Sequence, residues 1–201
     1  AKKEDFNLSA FIVDLNSPEV ERIPVKSIDP SRDQAKLVFH DAPAEELGDQ
    51  VSGNIILETI YDRAAILFAW EQVGGSDTAL NMAKAYAMER FAFGRPIASF
   101  QAIKHKLANV YVKNTLARSN CYYGAWAIST NAEEISTAAA AARLSSTQAF
   151  YFSSKENIQT HGGMGFTWEF DCQIPYRRAR LLAANIGSEA IWQEKLISSI
   201  E

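Results

Sequence analysis

The order of hydrophobic and polar residues changes character once along the chain. In "FNLSAFIVDL" (6–15), "VERIPVKSI" (20–28) and "AKLVFHDA" (35–42), β-branched and aromatic residues gather in short segments. Asn16-Ser17-Pro18 and Asp29-Pro30-Ser31 separate them, so the pattern predicts three strands. Three strands bury little by themselves, and residues 1–52 are therefore read as part of a β domain.

From residue 53 the spacing becomes helical. Residues 54–90 hold apolar positions three and four apart for roughly ten turns. Ile60, Leu67, Phe68, Trp70 and Val73 spread around more than one face, which predicts burial on several sides, in a bundle core or a subunit contact. Gly74-Gly75 interrupts this helix at about 2 kcal/mol against alanine, tolerable where another backbone packs close. A second helix is predicted from Ser99, as N-cap, to about Ile128, with a stripe of Phe100, Ile103, Leu107, Val110 and Tyr111. A third begins at "NAEE", where Asn131 and Glu134 have capping-box spacing, and runs to about Gln159. Its five alanines (138–142) permit close helix contact. "THGGMGFT" (160–167) ends it, and short helices follow near 170–184 and 188–200. The expected fold is mainly α: an antiparallel bundle of three long and two short helices over 53–201, preceded by a partial antiparallel β domain.

Charge narrows the choice of ligand. The net charge of −4 gives no broad attraction to nucleic acid or an anionic membrane, so any bound anion must be met by a few local cations. No run of 18 apolar residues suggests a membrane span, and "AKKEDFNLSA" lacks a signal-peptide core. Cys121 and Cys172 are too far apart for a metal knuckle, and three histidines (His40, His105, His161) complete no clustered site. The expectation is two free thiols in a reducing cytoplasm.

Two stretches could carry chemistry. In "RFAFGRPIASFQ" (90–101), Arg90, Arg95 and Gln101 surround a tight turn between helices. They serve either as a solvated helix hairpin or as donors to a phosphate, to which guanidinium is suited. In "QTHGGMGF" (159–166), Gly162 and Gly163 are helix stop signals, and they also let a backbone approach a flat or anionic ligand. Trp70 and Trp168 are bulky enough to wall a pocket, although aromatic residues so placed more often pack.

Taken together, "YAMERFAFGRPIASFQAIKHKLA" and "QTHGGMGFTWEFDCQIPYRRARLL" resemble the two signatures of the acyl-CoA dehydrogenase C-terminal helical domain. The opening strands resemble the latter half of that family's middle β domain. The resemblance implies FAD as cofactor, with Arg90, Phe93 and Gln101 contacting it from one subunit. Gln159, His161, Gly162 and Gly163 of a neighbouring subunit reach the same dinucleotide, and Ser188 joins the cofactor set. It further implies an acyl-CoA substrate, electron-transfer flavoprotein or a similar acceptor, and a homo- or hetero-tetramer.

The reaction needs a base for the α-proton. The family places a glutamate before a "G-T" pair, where this chain has Ile186 before Gly187-Ser188, or on the first long helix, where counting back from Arg90 lands on Ala64. Asp62 and Glu189 are the nearest carboxylates, turned by about 200° and 300° from those places. Two expectations follow: a dehydrogenase that draws its base from Asp62, Glu189 or elsewhere, or a flavin-holding subunit whose homologous partner supplies it. The family includes paired subunits of the second kind in bacterial breakdown of steroid side chains. Because the family's N-terminal helical domain and the first half of its β domain do not appear, the native polypeptide is expected to extend roughly 150–200 residues upstream.

Overall fold

A computed structural model describes residues 8–48 and 53–200. The first two residues of the first expected strand, Phe6 and Asn7, and the expected domain boundary at 52 lie outside these. Contacts group the chain into two units that meet between Tyr61 and Asp62.

Among its described residues the first unit has four strands rather than three. β1 (Ala10–Val13) pairs antiparallel with β4 (Ala44–Leu47), Ala10 opposite Leu47 and Val13 opposite Ala44. β2 (Val20–Val25) pairs antiparallel with β3 (Gln34–Phe39), Val20 opposite Phe39. The additional strand, "AEEL", has no β-branched residue; pairing with β1 makes it a strand, not propensity. Asp29 is buried and caps the β2–β3 turn, its Oδ1 accepting from the Ser31 N–H at 2.9 Å.

The helices are α1 (Gly53–Glu89), α2 (Gln101–Thr130), α3 (Ile135–His161), α4 (Gln173–Leu182) and α5 (Glu189–Ser198). Contacts fix their directions. Gln72 meets Thr147 and Tyr86 meets His161, so α1 and α3 run parallel. Trp70 meets Tyr122 and Ser76 meets Asn114, so α2 runs against α1. The four-residue turn between α2 and α3 enforces the reversal.

Small residues build the core. The buried seam of α2 is Val110, Asn114, Ala117, Cys121, Gly124 and Ala127. On α1 it includes Ala65, Ala69, Ser76, Ala79, Ala83 and Ala87, and on α3 it draws on the alanine run, with Ala138, Ala139, Ala140 and Ala142 buried. The α2 stripe is corrected only at its end, since Val110 is buried and Phe100, Ile103 and Leu107 are half-buried, and on α1 Val73 is buried with Phe68 and Trp70 half-buried. Tyr111 on α2 and Ile60 and Leu67 on α1 point outward, while alanine and serine face in. Polar pairs lie within the seam: Ser76 Oγ donates to Asn114 Oδ1 at 2.5 Å, and Ser153 Oγ donates to the Ser76 carbonyl at 2.7 Å.

The glycine pair also differs from expectation. A Cβ on Gly75 would lie 2.4 Å from Cζ of Phe150, so a ring and not a backbone occupies that space, while Gly74 faces no neighbour within 4 Å.

Two helix starts are corrected. Phe100, not Ser99, stands at the N-cap of α2; Ser99 belongs to a 3-10 turn (Ile97–Ser99) and its hydroxyl donates to the Pro96 carbonyl at 2.7 Å. Asn131 does not open α3. It closes α2 in the left-handed conformation (φ 50°), and the Ala132 N–H reaches back to the Ala127 carbonyl at 3.0 Å. Glu134 precedes α3 without a side-chain cap bond.

Candidate functional site

The turn after α1 is a two-residue β-hairpin. Phe91–Ala92 (β5) pairs with Arg95–Pro96 (β6), and both central residues have positive φ, Phe93 at 52° and Gly94 at 77°. That is the geometry of a type I′ turn, which favours asparagine and glycine. A phenylalanine held there is strained by about 1–3 kcal/mol, and this one is 95% exposed. Its nearest aromatic neighbour, Phe100, lies edge-on at 6.2 Å, and the Arg95 guanidinium covers Phe100 at 4.1 Å. The Arg90 carbonyl accepts from the Ile97 N–H at 2.8 Å, closing the hairpin base. Arg90 and Gln101, at its two feet, are both exposed. The hairpin thus gathers a guanidinium, an amide and a bare aromatic ring.

The second motif lies at the same end of the bundle. His161, the last residue of α3, is buried, and its Nδ1 lies 2.8 Å from the Asn157 carbonyl. A carbonyl only accepts, so the proton sits on Nδ1. Its ring stacks on Tyr86 at 4.2 Å and meets the edge of Phe170 at 5.6 Å. Tyr86 lies one turn before Arg90, so this stack brings the ends of α1 and α3 together. Gly162 follows with φ 60° and ψ −137°, a conformation open to glycine alone. A Cβ on Gly162 or Gly163 would meet nothing within 4 Å, whereas one on Gly165 would strike the Ile158 carbonyl at 2.6 Å. The diglycine is open to approach, and Gln159 beside it is exposed. Trp168 is 75% exposed and lies under the Arg177 guanidinium at 4.8 Å, so it does not serve packing; Trp70 does, against the α1–α2–α3 core.

The remaining candidates lie elsewhere. Ser188 is the N-cap of α5 but its hydroxyl makes no cap bond. Glu189 Oε1 accepts from Gln148 Nε2 at 2.6 Å, and Gln148 lies roughly 20 Å along α3 from His161. Asp62 is buried and paired with Lys195 Nζ at 2.6 Å. Ile186 packs against Ala65, Ile66, Ala139, Ala140 and Trp192, and Trp192 Nε1 donates to its carbonyl at 3.2 Å. Ile186 thus lies against the α1 turn of Ala65 and Ile66, next in sequence to Ala64.

One buried charge lies outside both sequence motifs. Arg143 is 1% exposed, and its guanidinium donates to Gln72 Oε1 at 3.1 Å, to Asn185 Oδ1 at 3.0 Å and to the Leu182 carbonyl. All three acceptors are neutral. Burial lowers its pKa to about 10, still charged at neutral pH. From α3 it ties down the loop after α4 that carries Ile186, Gly187 and Ser188. An arginine inside "AAAAARLSS" was the available signal. A groove of about 400 Å³ opens beside this loop, lined by Thr147, Gln148, Tyr151, Arg180, Ser188 and Glu189. Among the described residues no three His, Cys, Asp or Glu side chains gather as a metal site, and no helix is long and apolar enough to cross a membrane.

Residues 53–200 match the family model "Acyl-CoA dehydrogenase, C-terminal domain". Acyl-CoA dehydrogenase IpdE2 of Mycobacterium tuberculosis is 38% identical over 156 residues, 78% of this chain and 44% of the relative. The human mitochondrial short-chain specific acyl-CoA dehydrogenase is 30% identical over 193 residues, 92% of this chain and 46% of the relative. Butyryl-CoA dehydrogenase from Megasphaera elsdenii shares the fold with a TM-score of 0.90 at 23% identity, over 96% of this chain and 51% of that one. The Tcur3481-Tcur3483 steroid ACAD gives 0.84 at 25% identity, over 94% and 51%. The chain spans about half or less of the length of these proteins. A family model matched along the whole helical part, and relatives this similar across most of the chain, make it a member of the acyl-CoA dehydrogenase family, oxidoreductases acting on CH–CH groups.

Proposed function

We infer that this chain is the flavin-holding part of an enzyme that oxidises an acyl-CoA thioester between Cα and Cβ, and that a homologous partner subunit supplies the catalytic base. The residues present suit FAD. Arg90 and Gln101 offer exposed donors to a pyrophosphate, Phe93 offers an exposed ring, and Gly162 and Gly163 of a neighbouring subunit offer an open main chain. His161 contributes from beneath: its ring is spent on Tyr86 and Phe170, so it fixes where the diglycine stands. Ser188 retains an uncommitted hydroxyl on the Arg143-anchored loop. Held by these residues, FAD would supply the acceptor for the hydride of Cβ.

The observation that carries the partner reading is the engagement of both nearby carboxylates. Asp62 is buried against Lys195, and Glu189 is held by Gln148. A base must reach the α-proton at hydrogen-bond distance, and Ile186 and Ala64 offer none. The names of IpdE2 and FadE34 of Mycobacterium tuberculosis, the latter 34% identical over 187 residues, 92% of this chain and 26% of the relative, together with the steroid ACAD, support a bacterial role in oxidation of acyl chains or steroid side chains. Electron-transfer flavoprotein or a similar acceptor would take the electrons, in the cytoplasm.

Purification of the full-length chain alone and with its homologous subunit tests this. Each preparation is assayed against a panel of acyl-CoA thioesters with an artificial electron acceptor. Dehydrogenation only in the mixed complex is expected. Turnover by the chain alone, abolished by Asp62→Asn or Glu189→Gln, would overturn the partner reading, and a colourless mixed complex would overturn the flavin site.

A further inference from the structure

Gln101 and the diglycine stand level with each other on neighbouring helices. Lys106 Nζ lies 3.4 Å from Glu156 Oε2, joining the second turn of α2 to the second-last turn of α3. Gln101 is five residues before Lys106, and His161 is five residues after Glu156. Because α2 and α3 run antiparallel, these equal steps bring Gln101 opposite His161 and Gly162, about 7.5 Å beyond the ion pair on either helix. Thr160 Oγ1 donates to the Glu156 carbonyl at 2.7 Å, and His161 Nδ1–H donates to the Asn157 carbonyl at 2.8 Å. These bonds make the last turns of α3 move as one piece.

Apolar packing does little for α2 at this end. Among the described residues none of α2 before Val110 is buried, and Ile103 and Leu107 are half-buried. The next contact toward α3, Lys113 over the Phe152 ring at 5.4 Å, lies two turns further on. The ion pair itself is unequal. The Glu156 side chain is 10% exposed and that of Lys106 44%, and Glu156 Oε2 has no hydrogen-bond partner among the described residues. A buried carboxylate met by one half-exposed ammonium is a poor source of stability, since two apolar side chains would pack as well or better. What such a pair does supply is register, the place of one helix along the other. We propose that Lys106 and Glu156 are a positioning pair: they set the register of α2 on α3, and with it the spacing of Gln101 from the diglycine. This rests on the flavin reading above, in which both motifs meet a dinucleotide and their spacing on one chain has to be held. A slip of one residue at the pair would shift that spacing by about 1.5 Å.

Apoprotein of the full-length chain, assembled as it purifies, is titrated with FAD and separately unfolded in urea. Lys106→Met combined with Glu156→Met replaces the pair by apolar groups. This double variant should unfold no earlier than wild type and yet bind FAD about tenfold more weakly, the scale on which support behind a ligating residue acts. Lys106→Arg keeps the cation and should bind FAD as wild type does. A double variant with wild-type affinity, or Lys106→Arg as weak as the double variant, would overturn the proposal. So would a double variant that loses stability and affinity together, because that is a structural role alone. Where the double variant does not fold, Glu156→Gln is titrated instead; a several-fold loss is expected, and unchanged affinity overturns the proposal. A wild type that takes up no FAD rejects the flavin site itself, and the pair's role with it, whereas a yellow wild type with unaffected variants rejects the pair alone.

Discussion

His161 and Tyr86 stack with ring centroids 4.2 Å apart and planes 25° from parallel, joining the last residue of α3 to the last turn of α1. The two motifs, sixty-odd residues apart in sequence, are thereby fixed at one end of one bundle. The histidine acts as a strut, with the hairpin on one side and the diglycine on the other.

The two mid-helix glycines respond oppositely to alanine. At Gly75 the new methyl collides with the buried Phe150 ring, and urea unfolding should show a loss of about 1–3 kcal/mol, as for other overpacked cores. At Gly74 the methyl meets open space, and Gly74→Ala should gain about 0.5–1 kcal/mol by lowering the entropy of the unfolded chain.

Phe93 separates stability from function. Asparagine tolerates positive φ, so Phe93→Asn should raise the unfolding free energy by about 1 kcal/mol. If the exposed ring serves the flavin, the same variant of the full-length protein loses cofactor several-fold faster on dialysis. A destabilised Phe93→Asn would contradict the strain argument, and unchanged flavin retention the cofactor role.

Arg143→Met removes the donor from two acceptors in the 182–185 segment while keeping a long unbranched side chain. Buried acceptors left unpaired should cost about 2–4 kcal/mol in total. Hydrogen exchange should localise the effect, amides at 183–188 exchanging faster and those of α2 unchanged. Equal acceleration throughout would show a general core role instead.

Both thiols should be silent. Burial pushes Cys121 up to about 12 and also raises Cys172, whose Sγ lies 3.7 Å from the Gly165 carbonyl. An aromatic disulfide reagent at pH 8 should titrate neither until the protein unfolds. The pH consequence follows from linkage: unfolded Cys121 releases its proton near 9, the folded one keeps it to about 12. The stability it lends is complete below 9 and falls as pH rises from there.

Much of the fold was legible in the sequence, for an identifiable reason. Three long helices and two short ones follow from period and breakers, since glycine, proline and asparagine act locally. Which face each helix buries was legible only in part, through Val73 and Val110. Size points to bulky residues such as Tyr111 and Leu67, which are exposed, while the bundle buries Ala117, Gly124 and Ser76 because its helices approach closely. The strand at 44–47 escaped because its partner, not its composition, makes it extended. Arg143 looked like surface charge; only its neighbours Gln72 and Asn185 reveal it as buried. At the site, the tight turn read from "FGRP" is a β-hairpin with Arg90, Phe93 and Gln101 exposed around it, but His161 lies inside the aromatic stack, which no local pattern announces.

The alanine and serine seam also limits how this family member can vary. With side chains so short, the spacing between helices is a backbone dimension, and no rotamer can swing aside to absorb an added carbon. A larger residue at Ala79 or Ala117 would act as a wedge, and a rigid rod turns a small tilt at its middle into a larger displacement at its tip. Changes far from the hairpin would then alter the gap between Arg90 and Gly162 without touching either.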